Sequence, residues 1–137
     1  MLKKEKIKGL NLDIYLYETK NKLKVYMIED KKRSNYYVEY FTCFGSEVNE
    51  FERDNQKYKA PLGVAHFLEH KMFEEEDKID PFTFYSKSGT DANAYTTYDK
   101  TSYLFEGTKN FKKNLDYLIS YVNKPYFTDE NVEKEKG

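Results

Sequence analysis

His66 and His70 are the only two histidines in the chain, and Glu69 stands immediately before the second. On an α-helix, residues four apart differ by about 40° and residues three apart by about 60°, so His66, Glu69 and His70 share one face. Two imidazoles at that spacing reach one Zn²⁺ at about 2.0–2.1 Å. Glu69, between them, could then take a proton from water that the metal has acidified to a pKa of ~7. The bland alternative is a solvated polar face opposite Ala65 and Leu68, and a bare histidine pair is more often that. The glutamate between them moves the balance toward a site, and the surroundings decide.

Those residues need a helix. From Val64 to about Glu75 there is no Gly or Pro, and Ala65, Leu68 and Met72 fall on one apolar face. "NKLKVYMIED" (21–30) and "NYYVEYFTCF" (35–44) are rich in β-branched and aromatic residues and read as two antiparallel strands. Cys43, within the second, reads as core. "EVNEFERDNQKYKAPLG" reads as a loop, with Pro61 leading into the helix. "DPFTFYSKSG" is a short helix with Asp80 as N-cap, Pro81 at its first position and Gly89 as stop. "ANAYTTY" and "SYLFEGT" form a hairpin around Asp99-Lys100. Phe111, Leu115, Leu118, Ile119 and Val122 mark a further helix, ended by Pro125. A last helix begins at Thr128 with acidic residues in its first turn, as the dipole prefers. The order is ββααββαα, an α+β fold with helices packed on one face of an antiparallel sheet.

The chain has 137 residues, enough to bury a core as one domain. Its 23 basic and 24 acidic residues leave a net charge of -1, which gives no reason to expect nucleic acid or an anionic membrane as partner. Mean hydropathy is -0.93, and no apolar run approaches the ~20 residues of a membrane span. The N-terminus begins with basic residues but then alternates polar and apolar, without the continuous run of a signal peptide. One cysteine can form no internal disulfide, so a cytoplasmic home is expected. The apolar fraction leans on 14 Tyr and 10 Phe, residues whose bodies pack while tyrosine tips want water or a partner.

H-x-x-E-H is the arrangement of the inverzincins, and the whole run resembles the M16 (insulinase, pitrilysin, processing peptidase) family of zinc metallopeptidases. "GVAHFLEHKMF" matches that family's core segment nearly residue for residue. "GSEVNE" is similar to its G-S-x-x-E segment, "DANAYTTYDKTSY" to its N-A-x-T hairpin, and "PYFTDENVEKEKG" to its F-x-x-x-x-V-x-x-E-K segment. Lys71 in place of a common Met and "EEEDKID" after Phe73 are departures.

The resemblance implies a LuxS- or processing-peptidase-like αβ domain with His66 and His70 as zinc ligands and Glu69 as general base. It aligns Glu135 with the first of two acids spaced seven apart, a supporting carboxylate. The second, the third zinc ligand, then falls about five residues beyond Gly137, since seven residues are nearly two helical turns. Glu133 and Glu135 otherwise read as the solvated acidic start of a helix. Asn93 and Ala94 are implied to hold extended substrate along an edge strand. From residues alone, a turn Asn and a core Ala are equally good readings. Residues 1–137 are accordingly expected to be a truncated N-terminal M16 domain, inactive by itself. Its partners are expected to be a peptide or unfolded polypeptide substrate and a C-terminal half or homologous M16 subunit. The competing expectation is a non-catalytic M16 paralogue that binds peptides or scaffolds a partner peptidase.

Overall fold

The computed structural model describes residues 2–74, 76 and 80–136, with Lys136 described by its backbone alone. The chain divides into two compact units, Met1–Ser34 and Asn35–Gly137. The first is a three-stranded antiparallel sheet of β1 (Lys3–Ile7), β2 (Leu12–Glu18) and β3 (Lys24–Ile28), in that order. Ile14 opposes Ile28 and Leu16 opposes Tyr26 across the β2–β3 ladder, the apolar pairing that stabilises such sheets. The turn between them closes through the Thr19 N–H, which donates to Leu23 O at 2.9 Å. The expected order ββααββαα is corrected here, since it left out β1 and β2; the alternation of polar and apolar residues from Leu12 onward is a strand signal, and it builds β2.

Segments 21–30 and 35–44 each form a strand, but they are not each other's partners. β3 pairs with β2, while β4 (Tyr36–Thr42) pairs with β8 (Thr101–Gly107). Propensity marks where a strand forms; ladder partners are set by packing, and β2 is the nearer neighbour by a short turn.

In the second unit the sheet runs β4-β8-β7, with β7 (Asp91–Thr96) at an edge. Val38 and Tyr40 of β4 oppose Phe105 and Tyr103 of β8, which in turn oppose Ala92 and Ala94 of β7. These residues make one face, and α2 (Pro81–Lys87) and α3 (Phe111–Val122) cover it with Tyr85, Leu118 and Tyr121. The α+β layering is thus as expected. Its core is aromatic, as the composition suggested: the Tyr85 ring stacks on Phe105 at 5.3 Å, and Tyr117 stacks on Phe84 at 3.7 Å. Tyr85 donates its hydroxyl to Asn114 O at 3.1 Å. Burial pushes the Tyr85 and Tyr103 hydroxyls above the usual tyrosine pKa.

The opposite face of the sheet, one residue out of phase, carries Glu39. Its Oε1 accepts from Lys100 Nζ at 2.8 Å, from Ser102 Oγ at 2.7 Å and from Tyr95 Oη at 2.7 Å. Burial by itself would push the Glu39 carboxyl up. The hydrogen bonds from Lys100, Ser102 and Tyr95 outweigh burial and hold it at about 2. β4, β8 and β7 are thereby pinned together through one oxygen.

Two further expectations are corrected. The stretch read as a loop contains a hairpin, β5 (Glu50–Arg53) and β6 (Gln56–Lys59), turned by Asp54 and Asn55 with φ of 53° and 60°. Two consecutive left-handed residues make the tight turn that matches strand twist. Charged residues hid it: Glu50 and Lys59 bridge at 2.9 Å on one face, while Phe51 stacks on Tyr58 on the other. Cys43 is exposed, not core. It follows the end of β4 at Thr42 and is out of phase with Val38 and Tyr40, the partly buried residues that pack on the core.

The histidine-bearing helix, α1, spans Val64–Lys71. It was expected to reach about Glu75, which lies outside the described residues, but the helix already ends at Lys71, with Met72 as its C-cap. Asp80 caps α2 by accepting the Phe82 N–H at 3.0 Å, with Pro81 at the first position. α4 (Asp129–Lys136) begins after Thr128, whose Oγ1 accepts the Asn131 N–H at 3.1 Å. Among the described residues, no helix is long and apolar enough to cross a membrane.

Candidate metal centre

Helix α1 lies against β7, β8 and α4. Ala65 is buried at its contact with the sheet, and Met72, just past its end, packs on the core. That anchoring turns the i, i+3, i+4 face toward the rim. His66 and His70 are exposed there with ring centroids 4.4 Å apart, and Glu69 between them is buried. One ligand atom from each of His66, Glu69 and His70 lies within 4.8 Å of the others. His66 Nδ1 is 3.4 Å from Glu69 Oε2.

Two carboxylate contacts orient this trio. Glu135 on α4 places Oε1 2.6 Å from His70 Nδ1. In a neutral imidazole facing an ionised carboxylate, which only accepts, that nitrogen donates and Nε2 keeps the lone pair. Thr96, at the end of β7, donates its hydroxyl to Glu69 Oε2 at 2.5 Å. Glu69, His70 and Glu135 also line an open cleft of about 340 Å³ whose other walls are Phe73, Phe82, Asn93 and Ala94. Phe73 and Phe82 stack at 4.6 Å. Asn93 accepts the Ala94 N–H on its own side-chain oxygen at 2.9 Å. A larger hollow of about 450 Å³ borders the β5–β6 hairpin, but its lining has no histidine and no clustered metal-capable set.

All six residues singled out from the sequence meet here: His66, Glu69 and His70 on α1, Asn93 and Ala94 on β7, Glu135 on α4. Thr96 and Lys71 were not singled out as site residues. Thr96 could have been found from Ala94, since residues two apart on a strand face the same way. Lys71 is wholly buried beside the site, which no pattern of charge would suggest. Two imidazoles with nearby carboxylates are a borderline nitrogen and oxygen donor set, the kind that suits zinc. A hydrogen-bonded carboxylate behind one imidazole is the usual outer support of such a ligand.

Comparison with known proteins agrees in direction. The sequence profile of the family described as Insulinase (Peptidase family M16) matches residues 51–137. The zinc protease YmfH of Bacillus subtilis is 42% identical over 139 residues, covering 100% of this chain and 32% of that protein. The A-factor-processing enzyme of Saccharomyces cerevisiae is 30% identical, covering 86% of this chain and 11% of the yeast protein. Among solved structures, an M16-like peptidase from Alicyclobacillus acidocaldarius superposes with a TM-score of 0.87 at 38% identity, covering 94% of this chain and 30% of that one. The chain thus spans about a third of the length of its Bacillus relative, 32%.

Proposed function

The chain belongs to the insulinase family of peptidases, M16, and on that premise we propose that it is the metal-binding portion of a zinc-dependent endopeptidase of the H-x-x-E-H type. The observation that carries this reading is the convergence of His66, Glu69 and His70 within 4.8 Å, with Glu135 on the rear nitrogen of His70. His66 and His70 would hold the zinc, which when bound supplies Lewis acidity and acidifies water at neutral pH. Glu69 would accept a proton from water at its carboxylate, while Thr96 fixes the Oε2 side. Glu135 holds His70 in the tautomer that leaves Nε2 available. Glu135, set on His70 Nδ1, would support that histidine rather than bind the metal, and the third ligand would then come from beyond Gly137.

Substrate is an extended peptide. β7 lies at a sheet edge, where main-chain hydrogen bonds give affinity with little sequence demand. Asn93 would release the Ala94 N–H to an incoming carbonyl, and small Ala94 lets the backbone approach. The other half of the cleft comes from a C-terminal half or a homologous M16 subunit, so residues 1–137 by themselves are inactive.

Zinc content and turnover test this together. In the full-length polypeptide, His70→Ala should abolish stoichiometric zinc, whereas Glu69→Gln should keep zinc and lose peptide hydrolysis by about 10²–10⁴-fold. Hydrolysis that survives Glu69→Gln overturns the assignment of the base. Tight, His70-dependent zinc in residues 1–137 would place the third ligand inside them.

A further inference from the structure

Lys71 follows the second histidine directly, and its side chain is 0% exposed. A buried ammonium is tolerated only when it is paired and hydrogen-bonded. Nζ has both: Glu74 Oε2 at 2.6 Å and the backbone carbonyl of Asn131 at 3.0 Å. The first partner is local. The second lies on α4, the helix that bears Glu135.

That carbonyl sits at a sensitive point. In an α-helix the C=O of residue 131 is the acceptor for the N–H of residue 135, so Lys71 grips the turn from which Glu135 projects. Asn131 is itself rigidly set. Its side-chain oxygen accepts the Thr128 N–H at 3.0 Å, its N–H donates to Thr128 Oγ1, and its amide donates to Tyr126 O at 3.1 Å. α4 has little else apolar with which to dock, since Val132 is the one hydrophobic residue of "DENVEKEK". Polar bonds must set its place against α1.

We propose that Lys71 is a positioning residue that clamps α4 to α1 and thereby sets Glu135 against His70 Nδ1. The clamp and the histidine are adjacent on α1, and their two partners are one turn apart on α4. Together they make a two-point attachment. Losing the first point leaves the second, a 2.6 Å contact between side chains that are 48% and 28% exposed, as the remaining bond of the pair. The consequence for metal affinity rests on the zinc reading above; the consequence for α4 does not.

Two measurements separate these. Lys71→Met keeps an unbranched side chain of similar reach and removes the donor. In metal-free protein, amide exchange across α4 should quicken about tenfold while α3 and β7–β8 stay protected. Zinc affinity of the full-length polypeptide, by chelator competition, should weaken about tenfold, within the range for outer partners of a metal ligand. In a Glu135→Gln background, Lys71→Met should change zinc affinity no further, because the two act through one contact. Lys71→Arg, which can still donate, should restore α4 protection. Lys71→Gln, too short to reach the carbonyl, gives the same readouts should the methionine variant fail to fold. Unchanged α4 exchange, exchange that rises uniformly, or zinc losses that multiply in the double variant each overturn the proposal. A full-length wild type that binds no zinc sinks the metal reading and leaves Lys71 to be decided by exchange.

Discussion

Thr96 decides how Glu69 points. Its hydroxyl meets Oε2 at 2.5 Å, and the Glu69 side chain is only 9% exposed, so few other donors can reach that oxygen. A hydrogen bond to a charged group contributes about 1.5–3 kcal/mol. Thr96→Val keeps the shape and removes the donor. The expected outcome is about a 10- to 100-fold fall in peptide hydrolysis of the full-length polypeptide with zinc stoichiometry unchanged. A fall in zinc content instead would mean that Thr96 supports the ligands rather than the base. The contrast between Thr96 and its partner shows what single residues disclose. His66, Glu69 and His70 were legible because helical geometry fixes their mutual directions within one short segment. Thr96 is 27 residues from Glu69 and Glu135 is 65 from His70. No spacing rule reaches that far; the second was anticipated only through its family segment.

Elements were legible where local chemistry is self-sufficient. Asp80, Pro81 and Gly89 announce α2 at both ends, and the stripe Phe111, Leu115, Leu118 announces α3. β5–β6 was not, because its polar strands have one aromatic residue each to show for it and Asp54-Asn55 lacks the usual glycine. Cys43 falls in phase with exposed Phe41, on the side of β4 away from Val38 and Tyr40, and the chain beyond it is held from a distance. Ser46 N–H donates to Thr97 O at 2.8 Å and Glu47 N–H to Tyr98 O at 3.1 Å, joining the end of β4 to the β7–β8 turn. Gly45 makes that join possible. A Cβ there would lie 2.5 Å from Asp99 N, Thr97 O and Tyr98 C, all backbone atoms that cannot swing aside. Gly45→Ala should therefore destabilise the second unit by about 1–3 kcal/mol, the usual penalty for overpacking. Thermal unfolding measures it directly. A wild-type melting temperature would show that the turn can move at no cost.

At the scale of the whole molecule, the unit that carries the site is also the one whose stability should respond to acid through a single carboxylate. Glu39 ties β4, β8 and β7 together, and its carboxyl is held at about 2 against an ordinary value of 4.5. A carboxyl lowered by folding adds stability that is complete above the unfolded value and is lost as pH falls through the folded one. The window is thus from about pH 5 down to about pH 2. Lys100, raised by its bonds to Glu39 and then Tyr95, adds the mirror effect: its contribution persists through neutrality and fades only above the ordinary lysine range. Glu39→Gln retains an oxygen for Ser102, Tyr95 and Lys100 to donate to, but no charge. At pH 7 the variant should be less stable by about 1–2 kcal/mol, because a charge-assisted bond has become a neutral one. As pH falls, wild type and variant should converge, and near pH 2 they should unfold at the same denaturant concentration. Other carboxylates titrate in the same window, but they do so in both proteins, so the difference isolates Glu39. Curves that stay parallel from pH 7 to pH 2 would mean that Glu39 titrates as an ordinary surface acid and that something other than its charge holds the three strands together.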